Sequence, residues 1–286
     1  IFTNNKMVLW EAKGKNFVIT GGASGMGARY LGTFMEQGAK SVAVLDIAVD
    51  QRKALVEQYN NSHPGQVIFI KCDMSKEEDI EMSFKEVVKK FQRVDVIINN
   101  AGVMIDAPDV WRTAANINYQ GVVSLTLKGI AHMDKGEGGA GGTIVNIASA
   151  LAMNRVAGMP IYSGAKNGVV QFCRCIAVDP FYAKTGVRIL CMCFGPTDTP
   201  LLHNLEKRVY NQKQSKEFIE HTPEFGIYYQ KVDSAISSVE HMMKYGECGS
   251  IWLSVDDRPG KDLTEVYNQA YGILEKEMFN LLPVLK

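Results

Sequence analysis

The sequence predicts an α/β fold, with one doubly wound sheet of about seven parallel strands and helices on both faces. Two observations carry that expectation. Short, nearly all-apolar runs alternate with longer segments of helical period along most of the chain, which argues for a parallel sheet covered on both sides. No Pro/Ser-rich linker or internal repeat divides the 286 residues, so they read as one domain, long enough for a sizeable core.

The elements follow in order. Residues 16–20 form an apolar first strand, followed by a helix over 25–37 and a strand over 41–46. A helix over 49–59 leads through a turn-rich stretch to a strand over 66–71. Residues 76–91 read as an amphipathic helix, with Ile80, Phe84, Val87, Val88 and Phe91 on one face. A strand over 94–98 and a long helix over 109–133 come next. The glycine-rich loop 136–142 then precedes a strand over 143–147. One helix is expected over 160–182 and a sixth strand over 187–193. Residues 197–231 are less regular and read as a lid over a substrate. A helix over 232–245, a strand over 251–255 and a helical extension over 261–286 end the chain.

Composition narrows the function classes. Lys+Arg and Asp+Glu both number 31, so no net field steers the chain to nucleic acid or an anionic membrane. No apolar stretch reaches the ~18 residues of a membrane span, and residues 1–15 hold no hydrophobic signal core. A cytoplasmic protein is expected, although the start at Ile1 leaves a removed targeting segment open. The six cysteines form no Cys-x-x-Cys pair and read as buried thiols of a reducing compartment. Five scattered histidines give no metal-ligand spacing, so no metal is expected. Asn60-Asn61-Ser62 is a sequon with no signal peptide to give it meaning.

Tyr162-Ser163-Gly164-Ala165-Lys166 carries the chemistry. Four positions apart on a helix, Tyr162 and Lys166 share a face. A phenol titrates near ~10, and an ammonium within roughly 4–6 Å lowers that value toward a usable base. A surface lysine beside a half-buried tyrosine is the structural alternative. Ser149 stands thirteen residues before Tyr162, at the end of an apolar run.

A second signal lies at the exit of the first strand, in Thr20-Gly21-Gly22-Ala23-Ser24-Gly25-Met26-Gly27. Glycines there permit a tight turn and close approach of a pyrophosphate, and the following helix offers amide donors and its dipole. The Gly-x-x-x-Gly-x-Gly spacing departs from the commoner G-x-G-x-x-G fingerprint. Asp46 ends the second strand, where a carboxylate bonds ribose hydroxyls and repels a 2′-phosphate. No Arg or Lys occupies Ala23, Ser24 or Ile47, so NAD is favoured over NADP. Asp73, with Met74 beside it, is placed to accept from an adenine amino group or to cap a helix.

With these residues in view, the chain resembles the short-chain dehydrogenase/reductase family, whose Rossmann-type fold the predicted sheet matches. Asn99-Asn100-Ala101-Gly102 is similar to that family's Asn-Asn-Ala-Gly signature. Asn118, Ser149, Tyr162 and Lys166 match its catalytic tetrad in order and spacing. Gly195-Pro196-Thr197-Asp198-Thr199 resembles the segment at the nicotinamide end, with Phe194 in place of the usual proline. Insect-type alcohol dehydrogenases and NAD-dependent 15-hydroxyprostaglandin dehydrogenases are the subgroups it looks most like. The resemblance implies NAD contacts from Gly21, Ala23, Ser24, Gly25, Met26, Gly27, Asp46, Ile47, Asp73, Met74, Asn100, Ala101, Gly102, Tyr162, Lys166, Gly195, Thr197 and Thr199.

It also implies hydride transfer between NAD and a hydrophobic secondary alcohol or its ketone, with Tyr162 as acid/base, Lys166 lowering its pKa, Ser149 on the substrate oxygen and Asn118 organising a water relay. Ser149, Leu151, Met153, Met159 and Tyr162 would contact substrate, with Met104, Ile105, Ala150, Val156, Leu201 and Leu202 as further apolar candidates. Homodimers or homotetramers through the helices near 109–133 and 160–182 are implied as well. A protein of the same fold that binds NAD, or stores a ligand, without turnover is the competing class. Ser163-x-x-Lys166 and Lys184-Thr185-Gly186 also match fragments of penicillin-recognising enzymes, but the Ser-Asp-Asn element is absent.

Overall fold

Every residue of β1 (Asn16–Thr20) is buried, as are all but the ends of β2 (Ser41–Asp46) and most of β3 (Val67–Lys71). Strands hidden on both faces belong inside a sheet covered on two sides. That sheet is the centre of the computed structural model, which describes residues 10–48, 55, 57–59, 61–211 and 228–281. β4 (Val96–Asn99), β5 (Gly142–Ser149), β6 (Val187–Phe194) and β7 (Ile251–Ser254) complete seven parallel strands in the order β3-β2-β1-β4-β5-β6-β7. A two-residue strand, β8 (Lys261–Asp262), pairs antiparallel with β7 as the eighth. It leaves no apolar signal in the sequence, because both its residues are exposed.

The alternation along β1 assigns its side chains to two cores. Phe17 and Ile19 pack with Tyr30, Leu31 and Phe34 of α1 (Gly25–Glu36) and with Ile236, Val239 and Met242 of α7 (Val232–Tyr245). Val18 faces the other layer, with Ile80 and Phe84 of α2 (Glu77–Phe91), Leu125 of α4 (Gly121–Met133) and Val169 of α5 (Pro160–Ile176). Helix α2 also suits its dipole, with Glu77, Glu78 and Asp79 in the first turn and Lys89 and Lys90 in the last.

Two expected long helices are interrupted. The 109–133 segment is α3 (Trp111–Ala115), a π turn (Asn116–Gln120) and then α4. Gly121 permits the close approach there, since a Cβ on it would lie 2.4 Å from the Met74 carbonyl oxygen. The 160–182 helix stops with α5 at Ile176, and α6 (Phe181–Thr185) restarts after Pro180, which has no N–H to continue the ladder. Of the helix expected over 49–59, residues 55 and 57–59 are helical and the rest lies outside the described residues. Residues 212–227 of the expected 197–231 lid also lie outside them. α8 (Thr264–Leu281) accounts for most of the 261–286 extension. Among the described residues, no helix is long and apolar enough to cross a membrane.

One core contact carries a pH dependence. His132, in the last turn of α4, accepts a hydrogen bond from the Val94 N–H with Nε2 at 3.2 Å, which requires the neutral ring. Burial lowers its pKa from 6.5, with Asp95 opposing. The unfolded chain therefore binds this proton more readily, and stability held above pH ~6.5 is lost as pH falls through the window below it. Thermal melts from pH 7 to 5 should show that slope, and His132→Gln should flatten it.

The order of the strands reverses between β1 and β4. Chain connections leave toward opposite sides there, opening a crevice at the carboxyl ends of the strands.

Candidate active site

The crevice begins at the exit of β1. Gly21 and Gly25 have φ of 64° and 52°, values that glycine adopts without strain. A Cβ on Gly21 would also lie 2.9 Å from the Cα of Ala101. Ser24 precedes α1 in extended conformation, and its side chain makes no cap, so the first-turn amides of α1 face the crevice without a side-chain acceptor from that residue. Asp46 secures the turn from β2: Oδ2 accepts the Ala23 N–H and Oδ1 the Ala48 N–H, each at 2.9 Å. Asp73 accepts from the Ser75 amide at 3.0 Å and its hydroxyl at 2.7 Å, as a residue starting a turn does, and it also lines the crevice.

The opposite wall is tied to β1 by Thr20, whose Oγ1 accepts the N–H groups of Asn100 at 3.0 Å and Ala101 at 2.9 Å. Asn100 returns its amide to the Thr20 carbonyl at 3.0 Å. Below, Asn99 donates to Thr126 at 3.0 Å and Asn146 at 2.7 Å, joining β4, α4 and β5 in a buried network. Net contributions of about 1 kcal/mol per bond matter less here than the cost of leaving such groups unpaired. Asn118 sits on the π turn, fully buried, accepting from the Val103 N–H at 3.0 Å and donating to its carbonyl at 2.7 Å. A π turn of this kind often marks a functional site.

Tyr162 and Lys166 lie on successive turns of α5, both buried. The Ser149 hydroxyl, at the end of β5, donates to the Phe194 carbonyl at 3.5 Å and accepts the Leu151 N–H at 3.1 Å, and it stands beside the phenol, where it acts to lower the phenol pKa. The ammonium of Lys166 is 5.8 Å from the Tyr162 ring centroid and donates to the Ile147 carbonyl at 2.9 Å. The expected lowering of the phenol pKa by Lys166 is not produced by the protein's own groups. Burial pushes Tyr162 up to about 12, Ser149 offsets part of that, and Asp106 and Cys193 add to it. Burial also brings Lys166 down to about 8. Sequence spacing gave proximity, but the lysine spends its directed hydrogen bond on β5.

A cavity of about 580 Å³ joins these parts. It is lined by Gly21, Ser24, Gly25, Met26, Asp46, Ile47, Asp73, Met74, Asn100, Ala101, Gly102, Ser149, Tyr162, Lys166, Gly195, Thr197 and Thr199. Its remaining wall is apolar and includes Met104, Leu151, Val156, Met159, Leu201 and Leu202. Ala23, Gly27 and Asn118 stand behind the surface: Ala23 donates to Asp46, Gly27 packs on Gly21, and Asn118 holds Val103. Met153, expected as a substrate contact, is not among the residues lining the cavity. The 3₁₀ turn Ala150–Ala152 carries it away from the lining, and it packs against the α4–α5 core. Leu205, Val209 and Tyr229 line the cavity without having been singled out, as isolated residues in an irregular segment. Asp106, also unremarked in the sequence, is wholly buried against the start of α5.

Comparison with known proteins identifies the family. The short chain dehydrogenase family model matches residues 15–209. 15-Hydroxyprostaglandin dehydrogenase [NAD(+)] of Rattus norvegicus is 34% identical over 215 residues, 74% of this chain and 77% of the relative. Alcohol dehydrogenase 2 of Ceratitis capitata is 31% identical over 256 residues, 90% of this chain and 97% of the relative. The crystal structure of levodione reductase superposes with a TM-score of 0.65 at 25% identity, covering 82% of this chain and 91% of that one. With the family model matched over residues 15–209 and relatives above 30% identity over most of both chains, the chain belongs to the short-chain dehydrogenase family of oxidoreductases.

Proposed function

We propose that the protein oxidises a hydrophobic secondary alcohol to its ketone, or runs the reverse reduction, with NAD as hydride carrier and Tyr162 as the acid/base. The observation that carries this reading is one cavity lined at once by the glycine turn, Asp46, the Ser149–Tyr162 pair and an apolar wall. NAD⁺, when bound, supplies a hydride acceptor and a positive charge that favours the phenolate. The residues present fit that group. The first-turn amides of α1 would meet the pyrophosphate, and Asp46 would bond the ribose hydroxyls. Lys166 is the one cation among the described residues lining the cavity, which supports a cofactor without a 2′-phosphate.

Tyr162 takes the hydroxyl proton in oxidation, and Ser149 holds the substrate oxygen beside it. Asn118 has used one amide hydrogen and one lone pair on Val103, leaving the others for a relay toward Lys166. The two groups share a neighbour, since a Cβ on Gly102 would lie 3.1 Å from Asn118 Oδ1 and 3.5 Å from Lys166 Nζ. Met104 and Met159 give the apolar wall side chains that adapt to varied shapes. Incubation with NAD⁺ and a panel of secondary alcohols tests the reading by NADH absorbance. NAD⁺ binding with no NADH across the panel would instead indicate a binding protein.

Asp46→Ala tests the cofactor assignment. Loss of a carboxylate acceptor should lower kcat/KM with NAD by about 10- to 100-fold, while the value with NADP holds or rises. An unchanged NAD/NADP ratio would remove Asp46 from that role.

A further inference from the structure

Asp106 is 0% exposed, yet its carboxylate is tied down at both oxygens. Oδ2 accepts the Ile161 N–H at 2.6 Å and Oδ1 the Tyr162 N–H at 2.9 Å. These amides belong to the first turn of α5, where no intrahelical acceptor exists. Met159, at the cap position itself, offers no side-chain acceptor. The helix that carries Tyr162 is therefore capped from 56 residues away. Asp106 also donates its own N–H to the Arg208 carbonyl at 2.7 Å, and the Tyr210 N–H donates to Gly158 at 3.0 Å. Between those two bonds, Val209 packs with Met104, Met159 and Tyr162.

We propose that Asp106 is a positioning residue for Tyr162, fixing the first turn of α5 and joining it to the 205–210 segment of the substrate wall. The inference rests on the reading of Tyr162 as the acid/base. A neutral Asn or Ser cap has one acceptor oxygen and cannot hold both amides as the two carboxylate oxygens do. What the carboxylate adds is a negative field at the phenol, and that field acts to keep the proton on Tyr162.

The other groups facing the phenol are few. Ser149 and the Cys193 thiol act on it with opposite sign, Ser149 lowering and Cys193 raising its pKa, while Lys166 directs its ammonium to Ile147. From the facing segment, Arg208 turns its guanidinium to the carbonyls of Leu201 and His203. Asp109, Arg155, Lys207 and Tyr210 are exposed.

Asp106→Asn keeps the shape and removes the charge. The oxidation kcat, compared at pH values where the same fraction of Tyr162 is ionised in both proteins, should fall by about 10- to 100-fold, the scale expected when a reacting group is displaced slightly, with NAD⁺ affinity unchanged. The titration of Tyr162 should move toward acid by roughly half to one pH unit. It is read with NAD⁺ bound, as the tyrosinate absorbance of the protein minus that of its Tyr162→Phe counterpart. Asp106→Ser, a short neutral cap, is read on the same two axes should the Asn variant not fold. An unchanged kcat would overturn the proposal, and so would a lowered kcat with an undisplaced titration, which marks a purely structural cap. If Tyr162→Phe itself retains turnover, the acid/base reading fails, while the displaced or undisplaced titration still decides whether Asp106 governs the phenol.

Discussion

Tyr162→Phe should lower alcohol oxidation by about 10²- to 10⁴-fold, the contribution of a positioned acid/base, while leaving NAD⁺ affinity close to that of the wild type. The substitution removes one oxygen from a ring that is 6% exposed, so the packing of α5 against β5 survives. What is lost is the proton acceptor beside Ser149 in the cavity wall. The sign of the pH dependence follows from the site. Burial and Asp106 hold the phenol's proton, at about 12 with the protein's own groups alone. Oxidation needs the ionised form, so the wild-type rate should climb with pH. The residual rate of the variant should lack that slope. Initial rates of NADH formation across pH, with NAD⁺ binding measured separately, make the comparison, and a variant with wild-type turnover would exclude Tyr162 as the base.

The largest structural effect is expected at Gly27. A Cβ there would lie 2.1 Å from the Gly21 carbonyl oxygen, 2.7 Å from its carbon and 2.8 Å from the Cα of Gly22. All three atoms are backbone, so no side chain can rotate away. α1 would have to back off from the end of β1, at a cost of about 3 kcal/mol or more. That is a large part of a typical margin of about 5–15 kcal/mol. Because the displaced amides are those proposed to meet the pyrophosphate, Gly27→Ala should lose stability and NAD⁺ affinity together. Gly272→Ala provides the contrast: it lies within α8 with nothing near its would-be Cβ. It should leave NAD⁺ binding alone and stabilise by roughly 0.5–1 kcal/mol through the helix. Chemical denaturation and NAD⁺ titration of both variants check the pair, and a Gly27→Ala protein with wild-type values on both would refute the close-packed turn.

The sheet was legible because its strands are buried on both faces and so read as unbroken apolar runs. β1, β2 and α7 fall where the pattern places them. β5 runs past the expected 143–147 to Ser149, because its pairing with β6 continues to Phe194. The π turn at Asn116–Gln120 was hidden, since one extra residue in a turn hardly disturbs the period over a long helix. Of the candidate site, spacing brings Tyr162 near Lys166 but does not say where the ammonium points. An apolar side chain near Ser149 reads alike whether it faces a cavity or a core, and so Leu151 and Met153 could not be told apart. Asp106 looks like any polar loop residue until the chain folds, because its partners on α5 are 55 and 56 positions away.

The short antiparallel strand β8 has a consequence for how the molecule behaves in company. β7 carries Ile251, Trp252 and Leu253, a stretch whose open edge would offer hydrogen bonds to a strand of any passing chain. Lys261 and Asp262 occupy that edge for two residues, with Trp252 opposite Asp262 and Leu253 opposite Lys261. Both are charged and exposed, so they satisfy part of the edge and present little for further pairing. On that side the sheet ends in a charged border that disfavours open-ended stacking and aggregation.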